Sequence, residues 1–216
     1  MNEENNIKQC IEDFLKKNLN TEYIYNEFSL QFELGIFLRN NGFNVYFEKN
    51  VKEKGISNGR EATQLIKKEM DLYIDDGKGN KYAIELKYPT NGAYPKRMFQ
   101  FLADIQFMES VKKNLSFTKT FCLALINTDR KGGPFMVIGK KNTNDELKPI
   151  YSLFRSSENS YNNSDQFFAQ QPIHGKINNP INSKKSTEPP FVKIEGSYNI
   201  KWNKANENFW YYLLEI

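Results

Sequence analysis

A concentrated turn signal between two alternating segments constrains the fold more than any other feature of the chain. Residues 75–80 read Asp-Asp-Gly-Lys-Gly-Asn, and all of these residue types except lysine favour tight turns. Apolar and polar residues alternate in the segments on either side, at residues 68–74 and 81–88. Because a strand places successive side chains on opposite faces, the pattern predicts a β-hairpin with one apolar and one polar face.

Two amphipathic helices are predicted before this hairpin. Apolar residues recur at helical spacing in residues 5–17 and again in residues 21–40. The dipeptide Asn41-Gly42 supplies the left-handed stop that ends many helices. Residues 44–51 then alternate, which predicts a strand before the hairpin begins.

The segment after the hairpin returns to helical periodicity. Pro95 suits the first turn of a helix that extends to about residue 111. Residues 120–126 form an uninterrupted apolar run, typical of a strand covered on both faces, and residues 135–138 predict a shorter strand. This order of elements predicts an α/β sandwich, in which helices flank a mixed central β-sheet.

The C-terminal third changes in composition. Residues 156–185 are rich in Ser, Asn, Gln and Lys, which predicts a long, mobile surface loop. Residues 192–202 and 207–216 then predict two strands docked on the core, with their aromatic residues in core packing rather than stacked on unpaired bases. The predicted organisation is an α/β core over residues 1–140 and a C-terminal β extension over residues 141–216, packed on the same domain.

Composition narrows the chemistry available to the chain. Its 216 residues include one histidine, His174, and two cysteines. Imidazole-based metal sites, Ser-His nucleophiles and cysteine zinc sites are therefore not expected, so that catalysis must use carboxylates and lysines. The net charge of +4 is compatible with a polyanionic partner. Without a secretory signal or an apolar stretch of spanning length, we expect a cytoplasmic location and no membrane partner.

Three residues of the hairpin form the candidate site. Glu85 and Lys87 are two residues apart and share a strand face, and Asp71 on the preceding strand can project to the same side. Carboxylate oxygens suit Mg²⁺, with Mn²⁺ as a substitute. Lys87 can hold or help to deprotonate an attacking water and offset phosphate charge. The pattern therefore indicates metal-dependent hydrolysis of phosphodiesters.

The arrangement of Asp71, a hairpin turn and Glu85-Leu86-Lys87, preceded by a helix that carries Glu33, resembles the PD-(D/E)XK nuclease superfamily. The resemblance spans about residues 21–128, with Met70 at the position of the motif's proline. It implies a restriction-endonuclease-like fold, metal ligation by Asp71, Glu85 and Glu33, and a water-orienting role for Lys87. It also implies an endonuclease whose expected substrate is double-stranded DNA, in restriction or phage defence. A homodimer is compatible with it.

Other interpretations remain open for these residues. Asp71, Glu85 and Lys87 can instead be solvated residues on the polar face of the hairpin. The chain can equally be an inactive nuclease-like module that binds nucleic acid or protein, or a metal-independent structural protein. Glu33 can pair with Arg39 instead of a metal.

Secondary candidates surround the hairpin. Lys96 and Arg97, in the first turn of the following helix, are candidate phosphate contacts because free backbone amides lie there, although both also suit a plain surface position. Glu69 is an alternate ligand or a surface glutamate. Asp104 and Gln106 lie off the apolar stripe of that helix, where they face either the site or solvent.

Overall fold

The computed structural model describes residues 6–19, 22–53, 56, 65, 67, 69–90, 94–128, 149–156, 165–181 and 189–216. The helices are α1 (Ile7–Lys17), α2 (Glu27–Asn40) and α3 (Tyr94–Leu115), together with a 3-10 helix over Pro149–Leu153. The first strands are β1 (Asn44–Asn50), β2 (Glu69–Asp75), β3 (Lys81–Lys87) and β4 (Lys119–Asn127). The later strands are β5 (Gln166–Phe168), β6 (Ile173–Asn178), β7 (Phe191–Tyr198), β8 (Lys201–Lys204) and β9 (Phe209–Glu215).

Among the described residues, seven strands form one mixed sheet in the order β1-β2-β3-β4-β9-β8-β5. The predicted hairpin is present as β2 and β3, which pair antiparallel. β3 and β4 pair parallel, and α3 is the crossover that connects them. β6 and β7 form a separate two-stranded sheet. The predicted α/β class with a mixed central sheet and flanking helices is therefore confirmed.

Each face of the main sheet is covered by a different set of elements. α1 and α2 pack on one face, where they meet Ile84 and Leu86 of β3. α3 packs on the other face with the 3-10 helix and the small sheet, against Ala83 of β3. β4 is buried on both faces, as its continuous apolar sequence predicts.

The start of α2 differs from the prediction, because the helix begins at Glu27 and not near residue 21. The Asn26 side chain accepts a hydrogen bond from the Ser29 amide at 2.8 Å, and the Ser29 hydroxyl accepts one from the Asn26 amide at 3.0 Å. This reciprocal cap ends the extended conformation at Asn26. Ile24 lies before the cap and is buried even so, which is why it mimics the helical stripe.

The C-terminal residues complete the main sheet. β9 pairs antiparallel with β4 along its length, from Phe121 opposite Glu215 to Asn127 opposite Phe209. Where two strands were predicted, the structure has three, because the run at 192–202 is divided between β7 in the small sheet and β8 in the main sheet. The aromatic residues of this region are buried, which confirms their predicted role in core packing: Trp202, Trp210, Tyr211 and Tyr212.

The prediction of a continuous loop over residues 156–185 is wrong, since β5 and β6 lie within it. Each strand has one buried apolar anchor, Phe167 in β5 and Ile173 in β6. Their neighbours in the same strands, Gln166, Phe168 and His174, are exposed, and the segment as a whole is polar, so that its average composition hides the anchors. Residues 157–164 and 182–188, and the strand predicted at 135–138, lie outside the described residues.

No helix among the described residues has both the length and the apolar character needed to span a membrane. The two cysteines are free thiols, with Cys122 buried and Cys10 half-buried.

Replacing Trp202 with alanine tests how tightly the C-terminal strands belong to the core. The Trp202 side chain is fully buried, and its indole N–H donates to the Phe154 carbonyl at 2.6 Å. We expect Trp202→Ala to lower the free energy of unfolding by roughly 3–5 kcal/mol, because the cavity cannot fully close. Urea denaturation measures this, with the exposed Phe168→Ala of the adjacent β5 as the control. A loss below about 1 kcal/mol, typical of a surface change, would mean loose docking.

Candidate functional site

The candidate site lies where β2 and β3 stop pairing. The regular ladder between them runs from Asp75 opposite Lys81 to Leu72 opposite Ile84. At the next position, the Asp71 carboxylate accepts the Leu86 amide N–H at 2.7 Å. The Asp71 side chain thereby accepts a hydrogen bond at a position where the β2 main chain no longer pairs with β3. The two strand ends are held together while their backbones separate, which leaves room between them for side chains.

A second irregularity lies on the other side of Asp71. Glu48 of β1 has a positive φ of 49°, a left-handed conformation that is unfavourable for a residue with a side chain. The buried Gln31 amide from α2 donates to the Asp71 carbonyl at 2.6 Å and to Glu48 Oε1 at 2.7 Å. Gln31 therefore fixes the main chain of Asp71 from the helix side.

Helix α3 adds a third carboxylate to the Asp71 and Glu85 pair. The side chains of Glu85 and Asp104 are only 1% and 3% exposed. The Lys67 ammonium reaches both, with 2.5 Å to Glu85 Oε2 and a direct contact to Asp104 Oδ1. Asp104 therefore faces the site, and the alternative of solvent exposure does not hold for it.

Lys87 is fixed on the opposite side of this cluster. Its ammonium donates to the Leu86 carbonyl at 2.8 Å and lies 3.3 Å from both Asp104 Oδ2 and Glu27 Oε1. Glu27 is the first residue of α2, and its other oxygen accepts the Tyr88 amide N–H at 3.2 Å. The N-terminus of α2 thus holds the end of β3 in place.

Burial controls the protonation of the carboxylates. Desolvation raises the pKa of Asp71 to about 6, against the opposing effects of Lys87 and of the Leu86 hydrogen bond. Desolvation, with the negative charges of Asp71 and Asp104, raises the pKa of Glu85 well above its usual value. The carboxylates are therefore crowded and short of positive charge.

The two lysines respond in the opposite direction. Burial disfavours the ammonium form of Lys87, but the carboxylates of Asp104, Glu27, Asp71 and Glu85 outweigh it and raise the pKa of Lys87. Burial also opposes the charge of Lys67, whose pKa is raised because Asp104 and Glu85 contact it. Both lysines are cations at neutral pH.

The donor set suits a hard divalent cation. Asp71, Glu85 and Asp104 offer oxygen atoms only, which Mg²⁺ and Mn²⁺ prefer. Glu85 Oε1 is buried without a hydrogen-bond partner, and Asp104 Oδ2 has the Lys87 ammonium at 3.3 Å but no hydrogen bond of good geometry, so that each can still accept a ligand bond. Within the described part of the chain, no three Asp, Glu, His or Cys side chains are already arranged as a metal cage. Lys67 stands between two of these carboxylates instead.

The structure does not bring Glu33 to this cluster. Glu33 lines a groove of about 820 Å³ between α1, α2 and the turn before β9, together with Lys17 and Glu207. It follows Glu27 by six residues, which places it roughly 9 Å further along the helix and about 120° around it. Glu27, at the N-terminus of the same helix, lies beside the site.

The remaining candidates lie at the start of α3, at the start of β2 and on the side of α3 that faces β7. Lys96 is exposed and Arg97 half-exposed in the first turn of α3, where the Arg97 guanidinium donates to Gln100 at 3.0 Å. Glu69 is exposed at the start of β2. Gln106 accepts the Lys193 amide N–H at 3.3 Å, on the side of α3 that faces β7.

Glu27, Gln31 and Lys67 belong to the site but were not predicted from the sequence. Glu27 and Gln31 are four residues apart on α2 and share a face, so that recognising the cap at Asn26 would have revealed them. Lys67 lies outside the helices and strands, and no periodic pattern marks it.

Comparison with family models, curated proteins and solved structures finds no significant match for this chain.

The raised pKa of Asp71 predicts that the free energy of unfolding falls as the pH rises toward neutrality. Asp71 keeps its proton up to about pH 6 in the folded protein, whereas the unfolded chain releases it near the usual value of 3.8. The protonated Asp71 therefore contributes its full stability below pH 3.8, and this contribution is lost as the pH rises through 6.

Replacing Asp71 with asparagine tests this pH dependence. Asp71→Asn cannot ionise, and its side-chain oxygen still accepts the Leu86 amide N–H. We expect it to exceed the parent in unfolding free energy by about 2–3 kcal/mol near neutral pH and to converge with it near pH 4. Urea titrations with a chelator measure the difference, and a constant offset would contradict it.

Replacing Gln31 with leucine tests its role in fixing Asp71. The variant keeps the side-chain volume but leaves the Asp71 carbonyl and Glu48 without their amide donor. We expect a loss of about 1–3 kcal/mol in unfolding free energy. Gln9→Leu, on the exposed face of α1, is the matched control, since the Gln9 amide donates to Asp13 at the surface. Equal stability of both variants would remove Gln31 from the support of the site.

Proposed function

We propose that this chain is a metal-dependent endonuclease that hydrolyses phosphodiester bonds, with double-stranded DNA as the expected substrate. The observation that carries the proposal is the burial of Glu85 and Asp104, 1% and 3% exposed in their side chains, beside Asp71 and Lys87. On the solvated polar face of a hairpin, Glu85 would be exposed, and Asp104 on α3 would face solvent. Burial of charge is costly and is concentrated at functional sites.

The order of elements supports the same proposal. A helix, a three-stranded antiparallel meander, a crossover helix and a parallel fourth strand follow one another from α2 to β4. This order agrees with the restriction-endonuclease-like fold implied by the resemblance to PD-(D/E)XK nucleases. Asp71, Glu85 and Lys87 lie together at one end of the meander, where β2 and β3 separate.

Asp71, Glu85 and Asp104 are the residues that would hold Mg²⁺, in place of the set with Glu33. Bound there, Mg²⁺ would supply Lewis-acid polarisation of the phosphate and a lower pKa for a coordinated water. Glu27 acts on Lys87 and on the Tyr88 amide, so that it is a positioning residue.

Lys87 contributes as a fixed cation. Its pKa is raised by the surrounding carboxylates, so that it stays protonated at neutral pH and cannot accept a proton from water. Its bonds to Leu86 and Glu27 orient the ammonium. It can therefore donate a hydrogen bond to the attacking water or to a phosphate oxygen as negative charge develops there. Lys96 and Arg97, at the N-terminus of α3, are proposed contacts for the flanking phosphates.

Replacing Lys87 with methionine tests this mechanism. The variant keeps the stem and removes the charge, so that we expect Mn²⁺ binding to persist in calorimetry while cleavage falls by roughly 10² or more. Plasmid and labelled duplex digestion with Mg²⁺ or Mn²⁺ measures cleavage, and Glu33→Gln is the matched control that should cut at the parental rate.

Three results would contradict the proposal in different ways. Cleavage by Lys87→Met at the parental rate would remove Lys87 from the mechanism. A Glu33→Gln variant that loses activity would restore the ligand set implied by the resemblance. A parent protein that binds Mn²⁺ and DNA but never cuts would be the inactive nuclease-like module.

A further inference from the structure

Lys67 reaches the candidate site from outside the regular structure. It lies two residues before β2 and belongs to no helix or strand. Its ammonium is 2.5 Å from Glu85 Oε2 and contacts Asp104 Oδ1. The Lys67 side chain is 33% exposed, whereas the two carboxylates are almost fully buried. A solvent-accessible cation therefore bridges two buried anions.

This bridge satisfies the carboxylates only in part. The Lys67 ammonium is bonded to one oxygen of Glu85 and one of Asp104. Glu85 Oε1 has no hydrogen-bond partner, and Asp104 Oδ2 has only an ion pair with Lys87 at 3.3 Å. A lysine ammonium has three donors in a compact tetrahedral head. A divalent cation of the Mg²⁺ or Mn²⁺ type binds six oxygen ligands and can use oxygens that the ammonium leaves over.

The local charges also favour the binding of a divalent cation in place of the Lys67 ammonium. Four carboxylates, those of Glu27, Asp71, Glu85 and Asp104, surround two ammonium groups, those of Lys67 and Lys87. Whenever three or more of these carboxylates are ionised, their negative charge exceeds the positive charge of the two ammonium groups. Replacing a singly charged ammonium with a doubly charged ion reduces that excess.

We infer that Lys67 is an internal counter-ion that holds Glu85 and Asp104 in the metal-free protein and leaves them when a divalent cation binds. The inference rests on the proposed function, since it requires the metal site. Lys67 then sets the metal affinity of the centre, because each binding event must displace its ammonium.

The two lysines of the site differ in how freely they can move. Lys87 is 16% exposed, lies on β3, and is bonded to the Leu86 carbonyl and to Glu27. Lys67 can swing toward solvent without breaking a strand ladder. Departure of Lys67 therefore costs two ion pairs and no backbone hydrogen bond of the sheet, whereas departure of Lys87 would also release the Leu86 carbonyl.

Lysine acylation of the parent protein tests the displacement directly. Acetic anhydride reacts with free amines, and mass spectrometry gives the rate at each lysine. We expect Lys67 to react slowly in the presence of a chelator and severalfold faster at a Mn²⁺ concentration that saturates binding in calorimetry. Lys113, in an exposed ion pair with Glu195 at 2.9 Å, is the internal control and should change little. Continued protection of Lys67 at saturating Mn²⁺ would overturn the inference.

Charge removal tests the effect of Lys67 on affinity. We expect Lys67→Met to bind Mn²⁺ at least about tenfold more tightly than the parent, because no buried ion pair has to be broken. Lys67→Gln should behave in the same way and serves if the methionine variant fails to fold. Lys67→Arg keeps the charge and should stay near the parent, as should the control Lys113→Met. Calorimetry gives the affinities, and circular dichroism confirms that each variant is folded.

The outcomes separate the inference from the proposed function. Mn²⁺ binding of equal strength in the parent, Lys67→Met and Lys67→Gln would leave the metal centre in place and overturn the counter-ion role. Failure of the parent and of every folded Lys67 variant to bind Mn²⁺ would overturn both. Tighter binding by the neutral variants, together with metal-dependent exposure of Lys67, is the result we expect.

Discussion

The hydrogen bond from the Leu86 amide to the Asp71 carboxylate connects the architecture of the sheet to its chemistry. It replaces a main-chain bond at the position where β2 and β3 separate. Because the same carboxylate belongs to the candidate metal site, the geometry of the strand ends and the position of a ligand oxygen depend on one contact. Gln31 supports it from the opposite side, through the Asp71 carbonyl.

Buried charge is the second constraint. The charged groups that offset one another at the site come from several elements of the fold. β2, β3 and α3 supply the three buried or half-buried carboxylates, α2 supplies Glu27, and the segment before β2 supplies Lys67. A hydrophobic core of the same volume would avoid the desolvation cost. The chain instead keeps carboxylates with raised pKa values next to protonated lysines, an arrangement that suits a ligand of high positive charge.

The sequence predicted the elements of the sheet better than the full set of residues at the site. The hairpin, α3 and β4 follow from strong local patterns, namely the turn at 75–80, a long apolar stripe and an uninterrupted apolar strand. These patterns also place Glu85 and Lys87 on one face. Glu33 was predicted as the α2 carboxylate at the site. The structure instead places Glu27 of α2 beside Lys87, because the cap at Asn26 sets where α2 begins. Lys67 and the burial of Asp104 depend on tertiary packing, which no local pattern records. The short strands β5 and β6 escaped prediction because each has a single buried anchor in a polar segment.

The position of β9 has a consequence for how the chain is made. β9 lies between β4 and β8, inside the sheet, although its residues are translated after those of all the other described strands. Until they emerge from the ribosome, the edge of β4 that pairs with β9 has no partner strand, and most residues of β4 are apolar. Bare apolar edges of this kind pair readily with other chains. During synthesis, the β4 edge is therefore open to pairing with other chains until β9 takes its place in the sheet.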